Sequence, residues 1–258
     1  MNITNQESLF NAVQQIDVKR VQLFISQSGD VNCKDEAKNN ALTCLAGMPI
    51  PDVALRAELV IIAQLLIEHG INIEHKNKWG ISAVYEAVST GFIELVELFT
   101  TLGVTVTSHI SLNEFLFSCW PRHPTRQQRI DFPKVLTILL NERPDLAFTS
   151  ERHRYLTPLQ IACKEGATEA ILQLLASGAQ PNHVSYEHNK TSTPLELICN
   201  YAFRARSECF KAIDALLTAG ADPNLFSDDR AQPDNSKSAL MWSVIYGGNT
   251  VKVVERLL

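Results

Sequence analysis

Six cysteines and seven histidines are the residues of this chain whose chemistry could be catalytic. A thiol becomes a nucleophile when a nearby imidazole takes its proton and an Asp or Asn orients that imidazole. Cys119 lies four residues before His123, and Cys33 falls where a turn is expected, so either could serve a cysteine hydrolase. No family-specific nucleophile motif surrounds any cysteine, and no two of them share a CxxC spacing. His69, His75, His109, His183 and His188 show no metal-ligand spacing, and no glycine-rich phosphate loop occurs. The expectation is therefore no catalytic residue, no metal and no cofactor. Six unpatterned cysteines are not a disulfide framework, which fits a reducing, cytoplasmic compartment.

The elements that hold these residues begin with composition. The chain has 258 residues, 45% hydrophobic and 20% charged, with a net charge of −5. That is a globular composition and excludes a disordered or collagen-like chain. No lysine- or arginine-rich run is present, so no nucleic-acid partner is expected. The longest apolar stretch, Leu59 to Ile67, is interrupted by Gln64 and is too short to span a bilayer. The polar N-terminus lacks a basic stretch followed by an apolar one, so no secretory leader is expected.

Two segments nearly repeat each other. Leu156-Thr157-Pro158-Leu159-Gln160-Ile161-Ala162-Cys163 leads to Gly178-Ala179-Gln180-Pro181-Asn182, and Ser192-Thr193-Pro194-Leu195-Glu196-Leu197-Ile198-Cys199 leads to Gly220-Ala221-Asp222-Pro223-Asn224. With Thr of TPL as anchor, equivalents fall at Glu7, Asn40, Ser82, Ile110, Thr157, Thr193 and Ser238. Two residues on lie Leu9, Leu42, Val84, Leu112, Leu159, Leu195 and Leu240; six on lie Val13, Ala46, Val88, Leu116, Cys163, Cys199 and Val244. Both columns are wholly apolar, so neighbouring units must stack them into one core. Thr157 and Thr193 suit N-caps, and Pro158 and Pro194 suit the first helical turn. Gly29, Gly70, Gly103, Gly178 and Gly220 suit left-handed helix ends.

These motifs resemble the ankyrin repeat, a TPLxxA turn opening one helix, a second helix, then GADxN and a hairpin. The resemblance implies an all-α solenoid of about seven helix-turn-helix units in one domain, 1–258, with units near 5–33, 34–74, 75–106, 107–148, 149–182, 183–224 and 225–258. The family's His after TPL is replaced by Gln160, Glu196 and Met241, so that turn is expected to lack its usual hydrogen bond. Extra residues, Gly47 to Pro51, Cys119 to Pro124 and Tyr201 to Arg206, are expected as loops between paired helices. The last helix stops at Leu258 without Gly or a polar cap, so either a longer chain or a ragged last helix is expected.

The resemblance implies a non-catalytic, monomeric module that binds a protein through hairpin tips and the inner helix face. Carried onto this sequence, the partner-binding candidates are Lys76, Lys78 and Trp79; His153, Arg154 and Tyr155 with Lys164 and Glu165; Glu187, Lys190 and Tyr201; and Tyr246. Trp79 either anchors a partner or folds back on the neighbouring hairpin. An insertion patch of Trp120, Arg122, His123 and Arg126 could bind phosphate or acid, or Trp120 packs on helix ends and the cations are merely solvated. Asn182 and Asn224 resemble ankyrin asparagines open to hydroxylation. Irregular, inserted units resemble ankyrin proteins that intracellular bacteria deliver into host cells, which implies a host protein as partner and the host cytosol as location. The alternative is an enzyme, as a cysteine hydrolase or with a catalytic domain after residue 258.

Overall fold

The computed structural model describes residues 5–49, 53–120, 128–149, 152, 155–187, 190–204, 209–225, 238, 239 and 241. The elements are α1 (Asn5–Gln14), α2 (Val18–Ser26), α3 (Ala41–Ala46), α4 (Val53–Glu68), α5 (Ala83–Thr90), α6 (Ile93–Thr101), a 3₁₀ turn (Val106–Ser108), α7 (Leu112–Glu114) running into a π turn (Phe115–Cys119), α8 (Gln128–Asn141), α9 (Pro158–Glu165), α10 (Thr168–Ala176), the strands β1 (Ser185–Glu187) and β2 (Lys190–Ser192), α11 (Pro194–Arg204) and α12 (Phe210–Thr218). They form two compact units, Met1–Ser111 with Ile130–Val135, and Leu112–Arg129 with Leu136–Leu258.

Each unit is built the same way. In the first, α1 packs on α2 and α5 on α6, while α1, α3 and α5 stack in one row and α2, α4 and α6 in another. In the second, α7, α9 and α11 stack, with α10 on α12. The two apolar columns explain the stacking. Leu9, Leu42, Val84, Leu112, Leu159 and Leu195 are all buried, as are Val13, Ala46, Val88, Leu116, Cys163 and Cys199; Leu240 and Val244 lie outside the described residues. Each large apolar side chain so buried contributes about 1.5–3 kcal/mol, which no helix of six to ten residues obtains alone.

The helix starts follow from the caps. Asn40, Ser82 and Thr157 are extended and accept N–H bonds from Thr43, Tyr85 and Gln160 at 2.9, 3.2 and 3.3 Å, and Thr193 accepts from Glu196 at 3.2 Å. The helix ends hold one correction. Gly70, Gly103, Gly178 and Gly220 are left-handed, but Gly29 is not; Ser28 takes that conformation at φ 59°. Gly29 is small for another reason, since a Cβ there would collide with the Phe24 ring.

Two further expectations are corrected. The TPL turn does not lack its hydrogen bond, because Gln160 replaces the histidine. Its Oε1 accepts from Thr157 N–H at 2.9 Å, and its Nε2 donates to Ser192 O at 2.7 Å and His183 O at 3.1 Å. Asn113 does the same one unit earlier, donating to Leu156 O at 3.1 Å. Nor is Tyr201 to Arg206 a loop throughout, since α11 continues through Arg204. The insertion after α3 likewise feeds a longer helix, as α4 has 16 residues where α2 and α6 have nine.

Asparagines tie successive turns. Asn32 Nδ2 donates to Gly70 O at 2.9 Å while its Oδ1 accepts from Asn72 N–H at 2.8 Å. Asn182 repeats this on Gly220 O and Asp222 N–H, each at 2.8 Å. Near the start of α4, Arg56 is almost wholly buried, with Nη1 2.9 Å from Glu94 and Nη2 2.9 Å from Asp131, and its guanidinium 5.7 Å from the centre of the Phe92 ring.

Glycine positions separate two costs. Gly166 is left-handed at φ +66° and its Cβ would strike the Tyr201 ring, whereas Gly178 at φ +91° has open space. Gly166→Ala should therefore lose about 2–4 kcal/mol, strain plus overpacking, and Gly178→Ala about 1–2 kcal/mol; urea unfolding midpoints of the two variants measure the difference. Arg56→Met should cost about 3–5 kcal/mol by leaving buried Asp131 without its cation, and Arg56→Met with Asp131→Asn should recover most of it; a double-mutant cycle by thermal unfolding reads the coupling.

Candidate functional site

The hairpin between α4 and α5 is organised by Asn77, 9% exposed. Its Oδ1 accepts from Trp79 N–H at 2.9 Å and Ile81 N–H at 3.0 Å, and its Nδ2 donates to Asn39 of the preceding hairpin at 2.8 Å. Lys78 N–H donates to Ala37 O at 3.1 Å, joining the same two hairpins. Asn77 is absent from the candidates read from sequence, although Asn77-Lys78-Trp79-Gly80 has the Asn and Gly positions of a tight turn.

This framework holds Trp79 outward at 63% exposure, the highest among the large apolar side chains described. Lys78 Nζ stands 4.4 Å from the Trp79 ring centre, an exposed cation–π contact of about 0.5–1 kcal/mol. Lys76 and Lys78 are exposed beside it. The tip thus offers an amphipathic ring with two ammonium groups.

The other candidates are dispersed. In the second unit Tyr155 is 42% exposed on a left-handed backbone, and Lys164 and Glu165 are half-buried in the last turn of α9. Tyr201 is half-buried with its ring over Gly166. Glu187 and Lys190 face each other in the β1–β2 register. Trp120 packs edge-to-face on Phe115, centroids 5.9 Å apart. His153, Arg154, Tyr246, Arg122, His123 and Arg126 lie outside the described residues.

One constellation has the residue types of a catalytic triad. His109 Nδ1 is 2.8 Å from Ser82 Oγ, and His109 Nε2 is 3.1 Å from Glu74 Oε2. Ser82 is 1% exposed and its oxygen caps α5, so it offers no surface to a substrate. The group braces successive turns.

Four of the six thiols, Cys33, Cys44, Cys163 and Cys199, are held away from the reactive form. Burial, reinforced by Asp35, whose carboxylate is 3.8 Å away, pushes Cys44 up to about 12. Burial and then Asp30 push Cys33 up. Burial raises Cys163 well above the ordinary thiol range, with Cys199 and Cys209 adding to it, and burial followed by Glu196 pushes Cys199 up to about 12. A nucleophilic thiol needs the opposite shift. Among the described residues no group of His, Cys, Asp and Glu is placed to hold a metal ion, and no helix is long and apolar enough to cross a membrane.

Comparison with known proteins gives the architecture its context. A family model described as Ankyrin repeat matches residues 154–186. The crystal structure of the human ASB11 ankyrin repeat domain aligns with a TM-score of 0.62 and 20% identity, over 96% of this chain and 95% of that one. A crystal structure of an ankyrin repeat domain from Acinetobacter baumannii aligns with a TM-score of 0.44 and 21% identity, over 96% and 95%. No curated protein shows significant sequence similarity to the chain.

The raised thiols set an expected reactivity. Near neutral pH, Cys44 should be alkylated about a thousandfold more slowly than an ordinary thiol, as its thiolate fraction falls by the same factor. Mass spectrometry of iodoacetamide-treated native and denatured protein checks this; rapid native labelling of Cys44 would contradict it.

Proposed function

The chain folds as an ankyrin-repeat protein, and from that premise we propose that it is a non-catalytic recognition module that holds a protein partner on its hairpin tips. An ankyrin-repeat fold typically mediates protein–protein interaction, and such folds do not by themselves choose the partner. The observation that carries the reading is Trp79, presented outward on a hairpin whose backbone is fixed by Asn77. A large ring with two χ angles that is already positioned loses little entropy on docking, which is what a binding anchor needs. Lys76 and Lys78 steer an acidic segment to it. In the second unit, Tyr155, Lys164, Glu165, Glu187, Lys190 and Tyr201 are contacts of the same kind in this reading, with His153, Arg154 and Tyr246 alongside them in sequence.

The partner in this proposal is a host-cell protein and the chain a bacterial effector. What supports this is the irregular pattern of inserted units, two of which extend a helix instead of a loop.

The test is affinity capture from eukaryotic cell lysate with residues 1–258 as bait, beside Trp79→Ala and Lys78→Glu. One partner should be enriched by the parent and weakened about thirtyfold or more by Trp79→Ala, the loss of a strong anchor, while circular dichroism shows both variants folded. Equal recovery by parent and variants would place binding away from this hairpin.

A further inference from the structure

At the turn that holds Ala147 no asparagine ties that turn to the next, and a cavity stands in its place. Asp30 Oδ1 accepts from Asn32 N–H at 2.9 Å, Asp222 Oδ1 from Asn224 N–H at 2.8 Å, and Asp145 Oδ1 from Ala147 N–H at 2.8 Å. The three turns are therefore equivalent, and Ala147 occupies the position of Asn32. The groups the missing amide would meet are Gly178 O and Gln180 N–H, the counterparts of Gly70 O and Asn72 N–H. Among the described residues Gln180 N–H has no hydrogen-bond partner, and Gly178 O is approached by Gln180 Nε2 at 3.5 Å, a length at which a hydrogen bond is weak. A cavity of about 210 Å³, bordered by Asp145, Ala147, Gly178, Gln180 and His183, opens there.

The geometry points to a binding site for a primary carboxamide, supplied by an asparagine or glutamine side chain of a bound polypeptide. The template is in the same molecule. Asn32 and Asn182 each donate one N–H to a glycine carbonyl and accept one backbone N–H, at 2.8–2.9 Å. An incoming carboxamide makes the same pair of bonds to Gly178 O and Gln180 N–H and displaces the long Gln180 contact. A carboxylate lacks the donor for Gly178 O, and an ammonium lacks the acceptor for Gln180 N–H. Sites for drug-sized ligands run about 300–1,000 Å³, so this cavity suits a single side chain. That the amide comes from a polypeptide rests on the recognition reading above; the pocket chemistry does not, because a small amide probes it without any partner.

The test is nuclear magnetic resonance titration of the ¹⁵N-labelled full chain with acetamide, N,N-dimethylacetamide, acetate and a capped Gly-Asn-Gly N-methylamide. Acetamide should shift the Gln180 amide signal saturably, while dimethylacetamide and acetate leave it in place. Ala147→Asn should abolish the shift by restoring the internal tie and raise Tm by about 2–4 °C; Ala147→Leu, which fills the space without an amide, should abolish it too. A Gln180 signal that acetamide does not move, equal shifts with dimethylacetamide, or an undiminished shift in Ala147→Asn would overturn the site. A response to the tripeptide at lower concentration than acetamide supports the polypeptide source. A response to acetamide alone would overturn that source and assign the pocket to a free small amide.

Discussion

A helix of six to ten residues paired with another cannot cover its own apolar side chains, and the architecture of both units follows from that shortage. Leu42 and Ala46 of α3 are covered because α1 and α5 lie on either side, and Leu159 and Cys163 of α9 because α7 and α11 do. Stability is then a sum of neighbour terms along the stack. Positions two and six after each anchor cannot become polar without opening two interfaces at once, while the turns between helices are free to vary.

Polar groups do a different task. The apolar columns do not specify how one turn sits against the next, since aliphatic contact tolerates sliding. Asn32, Asn182, Asn113 and Gln160 remove that freedom by binding backbone groups of the following unit at 2.7–3.1 Å. The hairpin bearing Trp79 is fixed likewise, through Asn77 to Asn39 and Lys78 to Ala37. Side chains that could bind lie on turns, and turns so tied hold their geometry before a partner arrives.

The parts of the fold legible in sequence are those set by local periodicity and backbone chemistry. Leu9 through Leu195, the caps at Thr157 and Thr193, and the left-handed Gly178 and Gly220 depend on nearby residues alone, so spacing reveals them. Gln160 was read as the loss of a histidine because its two carbonyl partners, His183 and Ser192, are 23 and 32 residues away. Arg56 and Asp131 are 75 positions apart in sequence, and Cys209 joins Cys163 and Cys199 from outside any repeated column. Exposure of Trp79 follows from the side-chain bond of Asn77, which composition cannot disclose. That the Tyr201 ring lies on Gly166 is likewise a packing fact that needs two turns in three dimensions.

The length of α4 carries one more consequence. At 1.5 Å per residue its 16 residues run about 24 Å, against about 14 Å for the nine-residue helices that flank it. Its first turns lie where Arg56 meets two carboxylates and the Phe92 ring. The dehydration penalty of such ions falls as temperature rises, while apolar stabilisation per unit area levels off. The charge-held end of α4 therefore gains relative to its apolar remainder on warming, and the insertion adds a segment whose thermal response differs from that of the stack it joins.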